Sequence, residues 1–215
     1  GPTGLAYWDV ARPDRRHVDL PKPDQGRRRA TRPSGVCVEV EQVVAKPGLT
    51  MFVTVLRQLK SPQNVGMIVR THVAMGGNEL ILLGHELPWQ FKKGSQAFSR
   101  KLESQCQILH IRSDREFFAW SKARDVLPVA IEIAEHAEHP TTASWRERPA
   151  LVFGNEGSGL PADFVADCPS TVRLPQFGAV GSLNVAIAHA MVVYELRRAQ
   201  AGASPAGHKY PTDRD

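Results

Sequence analysis

Three short segments concentrate the residues able to do chemistry. The first is Asn64-Val65-Gly66-Met67-Ile68-Val69-Arg70, which sets a side-chain amide and a guanidinium in one run. The second is Leu151-Val152-Phe153-Gly154-Asn155-Glu156-Gly157-Ser158-Gly159-Leu160-Pro161, an apolar stretch opening into a glycine-rich loop with one carboxylate. The third is Leu174-Pro175-Gln176-Phe177-Gly178, continuing into Gly181-Ser182-Leu183-Asn184-Val185-Ala186. Glycines after an apolar strand let the backbone approach a ligand closely. The second segment therefore has the look of a phosphate loop. It lacks the Gly-Lys-Ser/Thr ending that would supply a phosphate lysine and a magnesium-binding hydroxyl, which argues against nucleoside triphosphate hydrolysis. Nor does it match Gly-x-Gly-x-x-Gly, so a dinucleotide site is poorly supported.

Each segment stands at the C-terminal end of a predicted strand, the edge where open α/β sheets bind ligands. Met51–Leu59 is β-branched and apolar and reads as a strand, which Ser61-Pro62-Gln63 interrupts. A helix over Asn64–Met75 puts Val65, Ile68, Val69, His72 and Val73 on one face, and Gly76-Gly77 ends it. Further strands are predicted at Glu79–Leu83, Gln107–Ile111, Val126–Ile133, Ala150–Phe153 and Thr171–Leu174, with helices over Ser113–Arg124 and Ser182–Gln200. Ala150–Phe153 is wholly apolar, as a buried parallel strand should be. The last helix carries Val185, Ala188, His189, Val192 and Leu196 in one stripe. Strands alternating with helices predict an α/β fold with an open, mostly parallel sheet flanked by helices. No internal repeat interrupts the pattern.

Taken in this order, the three segments resemble the signature motifs of the SpoU/TrmH family, the RNA ribose methyltransferases of the SPOUT superfamily. The Asn-to-Arg spacing, Gly-Asn-Glu-Gly-x-Gly-Leu and Ser-Leu-Asn-Val carry the resemblance, which covers about Met51 to Arg198. It implies a C-terminal trefoil knot, a rare exception to ordinary connectivity, made by threading the segment after the second motif through a loop. It implies S-adenosylmethionine as cofactor. The matching positions are Phe153, Gly154, Asn155, Gly157, Gly159, Leu160, Leu174, Pro175, Gln176, Gly178, Ser182, Leu183 and Asn184, with much of the adenine recognition left to backbone amides and carbonyls. The implied reaction moves the sulfonium methyl to a ribose 2′-hydroxyl of transfer or ribosomal RNA. Arg70 matches the family's essential arginine. A guanidinium resists deprotonation, so Arg70 is expected to clamp the adjacent phosphate and stabilise charge developing on the hydroxyl oxygen, the phosphate being able to take the proton. Asn64 and Glu156 are expected to orient Arg70 or the RNA, and Ser182 and Asn184 to organise the loop and the substrate. The leaving sulfide is neutral, so no metal is required.

Plainer roles exist for the same residues. Asn64 and Ser182 are each suitable helix N-caps, Arg70 could be a surface arginine, and Glu156 a solvated loop acid. His72 and His189 lie on apolar faces and are expected to be packed. His136 and His139 have no third ligand nearby and are expected to be solvated. A catalytically silent RNA-binding protein and a methyltransferase acting on a base are the rival functions. The intact polar set argues against the first, and the Ser-Leu-Asn run against the second.

The rest of the chain bounds the setting. Residues 1–48 hold nine Lys/Arg against six Asp/Glu, and six prolines, so a largely irregular basic arm is expected. Arg27, Arg28 and Arg29 could grip phosphates. Trp89–Lys101 contains Lys92, Lys93, Arg100 and Lys101 with three aromatics and no acid. It reads either as an RNA contact or as an amphipathic helix. Residues 49–200 form the expected methyltransferase domain and 201–215 a frayed tail. The net charge of +5 permits a polyanionic partner without proving one. Cys37, Cys106 and Cys168 form no CxxC pair, which argues against a disulfide framework or a structural zinc and favours a reducing cytoplasm. No apolar run approaches the roughly 20 residues needed to span a bilayer, and the polar start reads as no secretory signal. A homodimer is implied by the family, with Val185, Ala188, Val192 and Leu196 as the expected apolar contact of the last helix.

Overall fold

The computed structural model describes residues 6–7, 51–85, 98–99, 102–143, 145 and 148–201. Arg27, Arg28, Arg29, Lys92, Lys93, Arg100 and Lys101 lie outside the described residues, as do nearly all of the 1–48 arm and residues 202–215.

In chain order the elements are β1 (Ala6–Tyr7), β2 (Val53–Arg57), α1 (Pro62–Ala74), β3 (Glu79–Leu83), a 3-10 turn (Leu102–Gln105), β4 (Gln107–Ile111), α2 (Asp114–Ala123), β5 (Leu127–Ile131), β6 (Pro149–Phe153), α3 (Ala162–Asp167), β7 (Ser170–Val172) and α4 (Val185–Ala201). The sheet order is β1-β4-β3-β2-β6-β5-β7. All pairings from β4 to β7 are parallel, and β1 adds an antiparallel edge to β4 through Ala6↔His110 and Tyr7↔Leu109. That short strand falls within the arm read as largely irregular. The open, mostly parallel sheet is otherwise as expected. Neither the strand order nor the pairings show the trefoil knot.

Side chains alternate across each strand, so the sheet has two apolar faces. Phe52, Leu56, Leu151 and Phe153 pack on one face against Val65, Ile68 and Val69 of α1 and Val192, Val193 and Leu196 of α4. Val53, Val55, Ala150 and Val152 pack on the other, against Phe117 and Trp120 of α2 and Phe164 of α3. One polar group interrupts the first face. Thr54 Oγ1 lies 2.9 Å from His72 Nδ1 and 3.1 Å from His189 Nε2. A hydroxyl has one proton, so it donates to one ring and accepts from the other. Both histidines are fully buried, and burial drives both below their ordinary value, His189 to about 3. They are neutral packing residues, as their apolar helix faces predict.

Three local expectations change. Ser61, read as a strand breaker, is the N-cap of α1: its side chain accepts from Asn64 N, and Pro62 occupies the first turn, where a missing N–H costs nothing. Asn64 is therefore inside the helix. Ser182 is not the cap of α4. Asn184 is, with its Oδ1 accepting from Ala186 N at 2.9 Å and Ile187 N at 3.3 Å. Of the residues expected to form a dimer contact, Val192 and Leu196 are fully buried in the chain's own core and Val185 and Ala188 pack against it. The exposed apolar side chains of α4 are Ile187, Met191 and Tyr194. Among the described residues, no helix is long and apolar enough to cross a membrane.

Candidate functional site

The connections from β2 and β6 run opposite ways: β2 leads through α1 to β3, and β6 leads through α3 to β7. Neighbouring strands with diverging connections leave a crevice outside their C-terminal ends. A cleft of about 610 Å³ lies there, lined by Lys60, Ser61, Asn64, Asn155, Glu156, Gly157, Ser182, Leu183, Asn184 and Val185.

Its floor is a relay of amides and one carboxylate. Glu156 accepts from Lys60 N, Ser61 N and Asn64 Nδ2, each at 3.0 Å. Asn184 Nδ2 donates to Asn64 Oδ1 at 3.1 Å. Asn64 thus spends its amide between Glu156 and Asn184, and Asn184 spends its own oxygen on the start of α4. The three motifs, up to 120 residues apart in sequence, meet in this chain of bonds. Partial burial pushes the Glu156 carboxyl up, but the bonds from Lys60 N, Asn64 Nδ2 and Ser61 N outweigh it and hold the group below its ordinary value. Glu156 is an anion with its oxygens occupied by donors, not a loose solvated acid.

The loop after β6 is held from below. Asn155 Nδ2 donates to Gln58 O at 2.7 Å, and Asn155 Oδ1 accepts from Gly157 N at 2.9 Å. Gln58 itself takes a left-handed backbone, φ 54°, which few non-glycine residues adopt. Gly154 and Gly159 approach so closely that a Cβ on Gly154 would collide with the Gly159 carbonyl. Gly159 has φ 65°, and a Cβ there would strike the carboxylate of Glu132. Glu132 accepts from Leu160 N at 2.8 Å and Ile133 N at 2.9 Å, tying the loop to the end of β5.

The predicted residues divide accordingly. Asn64, Asn155, Glu156, Gly157, Ser182, Leu183 and Asn184 share the cleft. Phe153, Leu160 and Leu174 are core residues, so only their backbone is free to meet a ligand; Phe153 packs edge-on to the His189 ring. Gln176 is half-buried, and its Oε1 is buried with no hydrogen-bond partner among the described residues. Gly178 is exposed, with no atom within 4 Å of where a Cβ would stand. Arg70 is exposed on α1, outside the cleft lining and outside the Asn64–Glu156 relay, which therefore does not orient it. His136 and His139 are exposed, and His139 Nδ1 sits 2.7 Å from Thr141 Oγ1 in its own turn. The sequence reading passed over Lys60 and Ser61. A serine followed by proline before an apolar-periodic run is a helix-start signal that could have located them. Nothing local marks Gln58 or Glu132, whose roles arise from contacts across the sheet.

The sequence matches the SpoU rRNA methylase family over residues 51–194. Among curated relatives, the 23S rRNA (uridine(2479)-2′-O)-methyltransferase of Streptomyces viridochromogenes is 30% identical over 142 residues, covering 64% of this chain and 49% of that one. The tRNA (guanosine(18)-2′-O)-methyltransferase of Escherichia coli is 24% identical, covering 74% of this chain and 66% of that one. Among solved structures, the SpoU methyltransferase AviRb of S. viridochromogenes in complex with AdoMet superposes with a TM-score of 0.64 at 27% identity, covering 73% of this chain and 64% of that one. An AdoMet-bound rRNA methyltransferase of Sinorhizobium meliloti does so with 0.64 at 28%, covering 71% and 58%. The chain spans about half or less of the length of the first curated relatives it matches.

Proposed function

The chain belongs to the SpoU rRNA methylase family, and on that footing we propose that it transfers the methyl group of S-adenosylmethionine to a ribose 2′-hydroxyl of transfer or ribosomal RNA. The observation that carries this reading is the Asn184–Asn64–Glu156 relay, which joins all three motifs at one sheet edge. S-adenosylmethionine supplies an electrophilic methyl carried on sulfur. The residues present fit such a donor. The buried, unpartnered Oε1 of Gln176 can accept an N–H from a ligand, and the Gly154–Gly159 crossing and the open Gly178 leave backbone accessible to one.

The roles of the side chains follow from their bonds. Glu156 is a positioning residue: donors that stabilise its anion also make it a poor proton acceptor at neutral pH. Asn64 transmits that position to Asn184, and with it to the start of α4 and the neighbouring Ser182. Arg70 acts on the RNA, clamping a phosphate and stabilising negative charge on the attacking oxygen. This requires the RNA to reach across α1 from the cleft.

We also propose a homodimer, joined through the exposed Ile187, Met191 and Tyr194 of α4 rather than through the buried stripe. Light scattering should give a dimer for the native chain and a folded monomer for Met191→Glu; a native monomer refutes the assignment. A cytoplasmic setting suits an RNA substrate. The function is tested with methyl-labelled donor and cellular RNA. Label should enter RNA, be lost in Arg70→Ala, and appear on ribose after nuclease digestion. Label on a base refutes the ribose assignment. Donor uptake without any transfer favours the catalytically silent reading.

A further inference from the structure

Because β2 to β7 are parallel, the residues that follow them share one edge of the sheet. Charge is unevenly spread along it. On the β4 side, Lys60 follows β2 and lines the cleft, while Arg112 and Arg115 follow β4 at the start of α2. All three are exposed, and among the described residues none of their side chains has a hydrogen bond or ion pair. The acids on that side are already engaged. Asp114 takes two bonds from Arg57, at 3.0 and 2.8 Å, and Glu116 accepts from the backbone N of Arg112 at 3.2 Å. Glu156 is held by its three donors. On the far side, the segment after β5 carries Glu132, Glu135 and Glu138, against the exposed Arg173 that follows β7.

Three exposed cations without partners, beside one ion-paired acid and two carboxylates whose oxygens are already turned to N–H donors, make a surface suited to a polyanion. We propose that the edge from the cleft to β4 is the track for the sugar–phosphate backbone of RNA, with Lys60, Arg112 and Arg115 as its phosphate contacts. The proposal rests on the RNA methyltransferase reading and adds the path of the substrate to it. β2 and β4 are two strands apart, about 10 Å. These residues are distinct in sequence from the basic arm and from Lys92, Lys93, Arg100 and Lys101. RNA leaving the cleft toward β5 would meet three glutamates, Glu132, Glu135 and Glu138, against the single arginine Arg173.

The test is binding of fluorescently labelled unfractionated transfer RNA across a series of salt concentrations. Arg112→Ala/Arg115→Ala should weaken binding about ten-fold and flatten the log K against log salt slope by about 1.4–1.8, with Lys60→Ala adding about 0.7–0.9. The charge-preserving Arg112→Lys/Arg115→Lys pair should restore the slope. Lys122→Ala, the same one-charge loss as Lys60→Ala but at the far end of α2, should change nothing. Weakening by Lys122→Ala equal to that of Lys60→Ala, or native binding by the arginine pair, overturns the track; so does a native chain that does not bind this RNA. Calorimetry with S-adenosylmethionine runs in parallel. Arg112→Ala/Arg115→Ala should take it up as the native chain does, and absence of uptake in both refutes the methyltransferase reading independently of the RNA result.

Discussion

Replacing Glu156 with Gln keeps the shape of the side chain and removes its charge. Three N–H groups converge on the carboxylate at 3.0 Å, two on Oε1 and one on Oε2. An amide has a single acceptor oxygen. With that oxygen placed toward Ser61 N and Asn64 Nδ2, its NH2 faces Lys60 N, donor against donor. Hydrogen bonds to a charged group contribute about 1.5–3 kcal/mol and neutral ones about 0.5–1.5 kcal/mol. Two bonds therefore weaken by about 1 kcal/mol each and a third is lost. The carboxylate is partly open to water, which screens the charge and can satisfy Lys60 N, so the net loss is about 1–2 kcal/mol. For a chain of this size that lowers Tm by about 2–8 °C. The larger effect falls on activity. Asn64 loses its anchor, Asn184 loses a fixed partner, and a misplacement of about 1 Å at a reacting site costs about a hundred-fold in rate. Differential scanning fluorimetry and labelled-methyl transfer measure the two effects on one preparation. A Glu156→Gln variant with native Tm and native transfer would refute the claim that this carboxylate organises the site.

Asn184 caps α4 with its oxygen and holds Asn64 with its nitrogen, so the two duties separate by substitution. Asn184→Ala should cost about 1 kcal/mol of stability by thermal unfolding, and Asn184→Ser should recover most of that through its hydroxyl without recovering methyl transfer. Gly154→Ala should destabilise the chain by more than about 1 kcal/mol because its Cβ meets the Gly159 carbonyl, whereas Gly178→Ala, in open space, should leave Tm unchanged. Any loss of donor uptake by Gly178→Ala in calorimetry then reports on the ligand alone. His189 is held by burial at about 3, far below the ordinary 6.5. A buried histidine with a depressed value folds neutral, so its contribution is complete above about 6.5 and declines as pH falls toward 3. At pH 5 the loss is about 2 kcal/mol. Tm should drop between pH 7 and pH 5, and drop less in His189→Gln; an identical drop in both removes His189 as the cause.

The motifs were legible before any fold because their chemistry is local. Glycine where backbones cross, an acid after an apolar strand and a Ser-Leu-Asn run are all marked by residue type. The strands Glu79–Leu83 and Gln107–Ile111 were legible for a different reason: runs of 5 residues are too short for an ordinary helix, so length decides where periodicity cannot. Helix starts were misjudged where two capping residues competed within a few positions. Ser61 and Asn64, like Ser182 and Asn184, are equally good caps in isolation. In the first pair Ser61 takes the role because the Asn64 side chain is bonded to Glu156 and Asn184.

By itself, then, the sequence determined the α/β class, the three motifs and the buried faces of α1 and α4, since periodicity and side-chain chemistry need no knowledge of distant partners. Only the tertiary structure decided that Asn64 bridges Glu156 and Asn184, that Glu132 and Gln58 brace the glycine loop, and that Ile187, Met191 and Tyr194 rather than Val192 and Leu196 face outward. Those outcomes follow from strand order. Parallel pairing of β2 with β6 brings the ends of segments about a hundred residues apart to one edge, and α4 packs beside α1 on the same face of the sheet.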